Sequence, residues 1–199
     1  MLGFLRSAST AVQTGALRGP RVYLQAPRAS DFGAWRDLRA ASRGFLEPWE
    51  PKWPRDALTR TAFRRRLQRQ ARDVRENTGY SFFIFRCADD ELLGGVTLSN
   101  LQRGIALSCS MGYWIGAPHT RQGLMTAALR CVLPFAFETL ALHRIEAACL
   151  PANVASQALL RKLGFREEGY ARGYLCINGE WHDHLLFAML SSDYYARPG

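Results

Sequence analysis

Trp114-Ile115-Gly116-Ala117-Pro118-His119-Thr120-Arg121-Gln122-Gly123-Leu124-Met125-Thr126-Ala127-Ala128-Leu129-Arg130 carries the decisive pattern of this chain. The run is strand-like up to Ile115, Gly116 and Pro118 break it, and from Met125 apolar residues recur at helical spacing. A glycine-bearing loop therefore feeds a helix N-terminus. N–H groups in a first helical turn have no partner inside the helix, and with the macrodipole they favour an anion such as a pyrophosphate. The loop has neither the Lys-Ser/Thr of a P-loop nor the three-glycine spacing of a dinucleotide fingerprint.

Working outward, the helix predicted over 125–139 presents Leu124, Ala128, Cys131 and Phe135 to a core, with Pro134 as a kink. A strand at 144–150 follows, then a helix at 154–163 with Asn153 as N-cap and Gly164 as its stop. Strands at 165–177 and 182–190 flank the hairpin signal Asn178-Gly179. On the other side, strand-like runs at 80–86, 92–100 and 105–115 are separated by short turns, so consecutive antiparallel pairing is expected. Gly94-Gly95 inside the middle run implies a bulge or a close approach.

Nearer the start, 21–25 reads as a strand and Ser30 or Asp31 caps a helix with Phe32, Trp35, Leu38 and Ala41 inward, ended by Gly44. Phe45 to Pro54 holds three prolines in seven residues and reads as a loop presenting Trp49, Trp53, Glu47 and Glu50. The predicted helix 58–75 buries Phe63, Leu67, Ala71 and Val74. Its other faces carry Arg60, Arg64, Arg65, Arg66, Arg69, Arg72 and Arg75, which is either a solvated surface or one facing RNA or the ribosome.

The 199 residues bound one domain with enough apolar content, 48%, to fill a core. A formal charge of +9 points to an anionic partner such as nucleic acid, a phosphorylated cofactor or a ribonucleoprotein. Cys87, Cys109, Cys131, Cys149 and Cys176 form no Cys-x-x-Cys pair and read as reduced, mostly buried thiols of a cytoplasmic protein. His119, His143, His182 and His184 lack zinc spacing, so no metal is expected. No apolar run has the length of a membrane span. Residues 1–20 are expected to form a loosely ordered leader, faintly like a transit peptide, before a domain over 21–191 and a tail at 192–199.

The order Arg121-Gln122-Gly123-Leu124-Met125, Asn153-x-x-Ser156 and Leu163-Gly164-Phe165 resembles the GNAT family of acyl-CoA N-acyltransferases. Pro48-Trp49-Glu50-Pro51, Gly112-Tyr113-Trp114-Ile115, Glu168-Gly169-Tyr170 and the run from Asn178 to His184 are similar to the RimJ/RimL type, the ribosomal-protein-alanine N-acetyltransferases. The likeness extends from about Arg21 to Met189. It implies a single α/β (α+β) domain with a central mixed, mostly antiparallel sheet of about seven strands and about four helices, and acetyl-CoA as cofactor. Two family positions differ here. The cradle pattern Gln/Arg-x-x-Gly-x-Gly/Ala places Thr120 first and Met125 last, and the tyrosine that many members carry as proton donor is Leu160.

The resemblance implies that Arg121, Gln122, Gly123, Leu124, Met125 and Thr126 hold the pyrophosphate and that Trp114, Ile115 and Asn153 receive the pantetheine arm. Ser156 has two readings, a hydroxyl that assists the departing thiolate and a helix-start hydroxyl that satisfies backbone. Glu50 is the candidate base, directly or through water, or a positioning group, with Glu47 and Asp183 behind it. An α-amine with a pKa of about 8 needs no strong base. Trp49, Asn100, Tyr174 and Trp181 are expected to line the acceptor groove. The implied reaction is acetylation of a protein N-terminal α-amine, with an Ala- or Ser-leading ribosomal protein as the first acceptor. Two other readings are a small-molecule amine acetyltransferase and a non-catalytic ribosome- or RNA-binding module. The Arg60–Arg75 helix is the expected rRNA contact, and the protein is expected to be a monomer or dimer without membrane attachment.

Overall fold

A computed structural model describes residues 15–196. Its centre is one eight-stranded sheet in the order β1-β2-β3-β4-β5-β6-β8-β7. The strands are β1 (Leu17–Arg18), β2 (Val22–Gln25), β3 (Tyr80–Arg86), β4 (Leu92–Gln102), β5 (Ser108–Ile115), β6 (Arg144–Cys149), β7 (Arg166–Ile177) and β8 (Glu180–Leu190). The helices are α1 (Phe32–Ala41), α2 (Arg43–Leu46), α3 (Arg60–Arg75), α4 (Leu124–Pro134), α5 (Val154–Lys162) and α6 (Ser191–Tyr195). The expected antiparallel run of three strands is present as β3-β4-β5, extended by β2 and β1. The extra strand, β1, lies inside the stretch expected to be a leader, of which residues 1–14 fall outside the described residues. α6 likewise runs into the expected tail.

Period-two alternation divides the sheet between two cores. Phe82 and Ile84 of β3, Met111 of β5 and Ile145 of β6 pack with Leu124, Ala128, Leu129 and Val132 of α4 and Leu160 of α5. On the opposite face Phe83 and Phe85 meet Phe32 and Trp35 of α1 and Phe63 of α3, with Trp114 at their edge. Trp35 and Phe63 rings lie 4.8 Å apart between centroids. Gly94 and Gly95 answer both halves of their expectation. The β3–β4 register shifts beside them, and a Cβ on Gly94 would stand 2.2 Å from the Trp114 carbonyl oxygen while one on Gly95 would stand 2.7 Å from the Trp114 indole nitrogen.

Several expectations are corrected. α4 begins at Leu124 and ends at Pro134, after which a π-helical turn (Phe135–Thr139) continues the chain in place of a kinked helix. The physical reason is that Pro134 has no N–H to offer, and the wider turn closes instead with Leu140 N–H on Phe135 C=O at 2.9 Å. In α1 the buried positions are Phe32, Trp35 and Arg39, with Ala41 exposed. In α3 Ala71 is exposed, and Arg66 and Gln70 share the inner side with Phe63 and Leu67. Leu46 and the 3-10 turn Glu47–Trp49 give the proline-rich loop more regular backbone than expected. Cys87 and Cys176 are exposed, unlike Cys109 and Cys149.

Candidate active site

β5 and β6 are the only parallel neighbours among the described strands, and they pair only at Ser108, Cys109 and Ser110 with Arg144, Ile145 and Glu146. Beyond that short ladder both strands continue, to Ile115 and to Cys149, without pairing to each other. The sheet is therefore split into a wedge. The β4–β5 register fixes which backbone groups line it. Gly116 donates to the Leu93 carbonyl at 2.8 Å, and alternation in an antiparallel ladder then makes Gly95/Trp114 and Thr97/Gly112 the exchanging pairs. Trp114 commits its N–H and C=O to β4. Tyr113 and Ile115 turn theirs into the wedge, ready to pair with an extended amide chain as an added strand would.

Just past the open end of β5 lies the predicted loop. Arg121 (φ 58°) and Gly123 (φ 73°) both take the left-handed conformation, and Gly123 is the N-cap of α4. The first intrahelical bond is Ala127 N–H to Gly123 C=O, so the N–H groups of Leu124, Met125 and Thr126 have no acceptor within the helix, and no side chain caps them. The Arg21 guanidinium donates to Gln122 C=O at 3.0 Å, and Gln122 Nε2 donates to Pro118 C=O at 3.0 Å, which fixes the loop from both sides. Gln122 thus contributes backbone geometry, with its side chain already engaged. A Cβ on Gly123 would find its nearest neighbour, Arg21 Nη1, only at 3.7 Å, so the surface above the loop is open. A pyrophosphate fits this donor set and an amide-bearing arm fits the wedge. A groove of about 670 Å³ continues from Gly123 and Thr126 past Arg130 to Lys162.

Asn153 caps α5, its Oδ1 accepting from Ser156 N–H at 3.0 Å. The Ser156 hydroxyl is free of that duty and lies 2.7 Å from the Tyr113 hydroxyl. Tyr113 escaped the sequence reading. Its signal was the parity of β5, since Trp114 and Tyr113 must point to opposite faces and only Tyr113 can look toward α5. Burial, the largest influence, raises the Tyr113 phenol far above its ordinary range, with the Ser156 hydrogen bond opposing. The phenol therefore keeps its proton at all physiological pH. The result is a pair of neutral hydroxyls on the wedge wall, in the place where Leu160 offers none and is itself wholly buried.

The other face of β5, where Trp114 points, is charged. Arg39 grips Glu50 with two hydrogen bonds of 2.7 and 2.6 Å, Trp53 Nε1 donates to Glu50 at 2.9 Å, and the guanidinium stands 4.2 Å from the Trp53 ring centroid and 4.9 Å from that of Trp114. Glu50 accepts three hydrogen bonds before any substrate arrives. Its backbone carbonyl also accepts from Asn178 N–H at 2.9 Å, tying the proline-rich loop to the β7–β8 hairpin. Glu47 pairs with Arg43. Asp183 accepts from Gly173 N–H at 2.7 Å and from the Tyr170 hydroxyl, contacts that hold its carboxyl below the usual range. Of the expected acceptor-groove residues, Trp49 is half-buried on its 3-10 turn. Tyr174 packs edge-on to the buried His184 with centroids 5.7 Å apart. Trp181 is exposed at the hairpin, and Asn100 lies farther along β4 with Nδ2 at 3.4 Å from Ser110 Oγ.

The chain is similar to known proteins. The family model described as an acetyltransferase (GNAT) domain matches residues 21–166. A probable N-acetyltransferase, YjcK of Bacillus subtilis, is 35% identical over 89% of this chain and 98% of its own length. The [ribosomal protein uS5]-alanine N-acetyltransferase of Escherichia coli is 36% identical over 82% of this chain and 86% of its own. Among solved structures, Mycobacterium smegmatis RimJ in complex with CoA-disulfide superposes with a TM-score of 0.83 at 35% identity, covering 88% of this chain and 87% of that one.

Proposed function

This chain belongs to the GNAT acetyltransferase family, and from that premise we propose that its acceptor is the N-terminal α-amine of a ribosomal protein beginning with Ala or Ser. It is an acetyl-CoA-dependent N-acetyltransferase, and the relatives named for ribosomal-protein alanine acetylation support the acceptor. The observation that carries the mechanism is the wedge between β5 and β6 with the Tyr113–Ser156 pair on its wall.

Leu124, Met125 and Thr126 N–H groups would hold the pyrophosphate, the free backbone of Tyr113 and Ile115 would hold the pantetheine amides, and Arg130 and Lys162 flank the groove beyond. Acetyl-CoA supplies an activated thioester carbonyl. A backbone N–H in the wedge stabilises negative charge as it grows on that carbonyl oxygen. The Ser156 hydroxyl donates a hydrogen bond to the departing sulfur and accepts one from the Tyr113 hydroxyl, while the proton that ends on the thiol is the one the amine nitrogen gives up as the amide forms, so both hydroxyls end as they began and the pair does the stabilising work a single tyrosine would do from position 160. An α-amine with a pKa of about 8 presents enough neutral nucleophile near neutral pH without a strong base. Glu50, occupied by Arg39 and Trp53, positions the acceptor wall.

Arg64, Arg69, Arg72 and Arg75 on the outer side of α3 are exposed and engage no carboxylate among the described residues, whereas Arg65 pairs with Asp56 and Arg66 turns inward. This face is where ribosomal RNA would dock. Thiol release on mixing acetyl-CoA with Ala-, Ser- and Pro-leading peptides tests the reading. Turnover of the first two and not the third is the expected result, and turnover of free amino acids or polyamines alone would overturn it.

A further inference from the structure

His184 of β8 is buried, with 2% of its surface exposed, and it takes no part in holding CoA or the departing sulfur. Its Nδ1 lies 3.0 Å from the His182 carbonyl oxygen. A carbonyl can only accept, so Nδ1 carries the proton and Nε2 keeps a lone pair. Nε2 has no hydrogen-bond partner among the described residues. Unlike Trp35 Nε1, Arg39 Nε and Arg66 Nε, it is not sealed from solvent. An imidazole whose tautomer is fixed by its own strand, and whose basic nitrogen is left open, is arranged to take a proton.

The sheet register brings that nitrogen to the wedge. β6 pairs with β8 as far as Cys149 opposite Leu185, so His184 stands one residue past the end of β6, where the chain turns off through Pro151 toward α5. Continued past Ser110 and Glu146, the β5–β6 register sets Trp114 at the same level, and pairing parity puts Trp114 and His184 on one face of the sheet. Two strand spacings, roughly 10 Å, separate β5 from β8, and the wedge opens between them. Trp114, Arg39 and Glu50 therefore border it on one side and His184 on the other. The Asn178 N–H bond to Glu50 C=O ties these two borders together, and the Tyr174 ring flanks the imidazole edge-on. Tyr113 and Ser156 look in from the opposite face. A reacting carbon in the wedge thus has its leaving-group hydroxyls on one face and an open imidazole on the other.

We propose that His184 is the general base of the transfer, taking the proton from the attacking nitrogen. The proposal rests on the reading of the protein as an N-terminal acetyltransferase and adds to it a catalytic residue. The neutral α-amine enters from the Trp114 face and its nitrogen bonds to the thioester carbonyl carbon. An α-amine and an alkyl thiol have similar pKa values, about 8 and about 8.5, so the adduct expels either one while the nitrogen keeps its extra proton. Nε2 removes that proton, directly or through one water, and commits the adduct to the amide. The C=O bond reforms, the C–S bond breaks, and its electron pair leaves on sulfur beside Ser156. The imidazolium then returns its proton through solvent to the thiolate, which leaves the enzyme as it began and yields the amide and CoA thiol.

His184→Asn tests it, because the asparagine amide overlies Nδ1, keeps a donor for the His182 carbonyl and removes the lone pair at Nε2. The assay is kcat/KM for an Ala-leading peptide from about pH 5.5 to 8. A histidine ordinarily takes up its proton near pH ~6.5, so a histidine base works above that and is lost below it. The parent should lead the variant by about a hundredfold at pH 8. At pH 5.5, where about nine tenths of an ordinary imidazole is protonated, the lead should shrink to about tenfold. Ionisations common to both enzymes cancel in this ratio: the amine, the Arg39–Glu50 and Arg144–Glu146 pairs on the same face, His182 beside Glu180, and Tyr174. A merely structural loss takes the same factor at every pH. A ratio that does not move with pH, or a variant as active as the parent, overturns the base and leaves N-terminal acetylation standing. Melting curves check the fold, and a variant that fails is replaced by His184→Gln under the same two outcomes. The parent alone gives a second measurement: log kcat/KM should rise with a slope of about two below pH ~6.5 and about one from there to pH ~8, and a slope of one throughout overturns the proposal. If no peptide is acetylated while free amines are, both readings fall together.

Discussion

Replacing Gly123 by aspartate isolates the cradle from the rest of the enzyme. Its φ of 73° costs a non-glycine residue about 1 kcal/mol. A carboxylate at the N-cap of α4, near Arg21, recovers roughly 0.5 kcal/mol through the macrodipole. The unliganded variant should therefore melt within about 4 °C of the parent. Binding is different, because the same carboxylate would face a bound pyrophosphate. At about 6 Å and an effective dielectric of about 20, each like-charge pair costs ~3 kcal/mol, or about a hundredfold in affinity. Titration calorimetry with CoA measures it, and Gly123→Asn is the control. Asparagine tolerates the left-handed conformation and adds no charge, so its affinity should stay within about threefold of the parent. A folded Gly123→Asp enzyme that binds CoA as tightly as Gly123→Asn would refute the placement of the pyrophosphate on these donors.

Other expectations follow from the same structure. Ser156→Ala should lower kcat by about ten- to a thousandfold with CoA affinity kept, since its backbone N–H still meets Asn153 and only the hydroxyl facing Tyr113 is lost. Tyr113→Phe should lower kcat by about tenfold or more and leave KM for acetyl-CoA unchanged; equal kcat would remove the tyrosine from the stabilisation of the departing sulfur. Glu50→Gln leaves the buried Arg39 without a counter-charge and should cost about 3 kcal/mol of stability in denaturant titrations, an outcome that a free catalytic base on a loop would not produce. Reversing Arg64, Arg69 and Arg72 together should weaken ribosome association and flatten its log-log salt dependence by about 0.7 to 0.9 per lost phosphate contact, while a short peptide is still acetylated at close to the parental rate.

Local rules decide what a short window contains, and there the sequence sufficed. The loop feeding α4, Asn153 as the cap of α5, the Asn178-Gly179 turn and the β3-β4-β5 meander each depend on backbone preferences of a few neighbouring residues, so they were legible without any long-range information. Periodicity alone could not rank near-equivalent helix phases, because Leu38 and Ala41 fit a helical stripe as well as Arg39, and Ala71 as well as Gln70. Only the packed structure chose Arg39 and Arg66 to face inward, since it brought Glu50, Trp53 and Trp114 from distant positions to receive the first of them. The wedge is likewise a property of two strands separated by a helix and a loop, set by where β6 pairs with β5 and where that pairing stops. Tyr113 meets Ser156 across 43 residues for that reason. A contact between groups so far apart in the chain depends on how the layers stack, and no local preference at either residue encodes it.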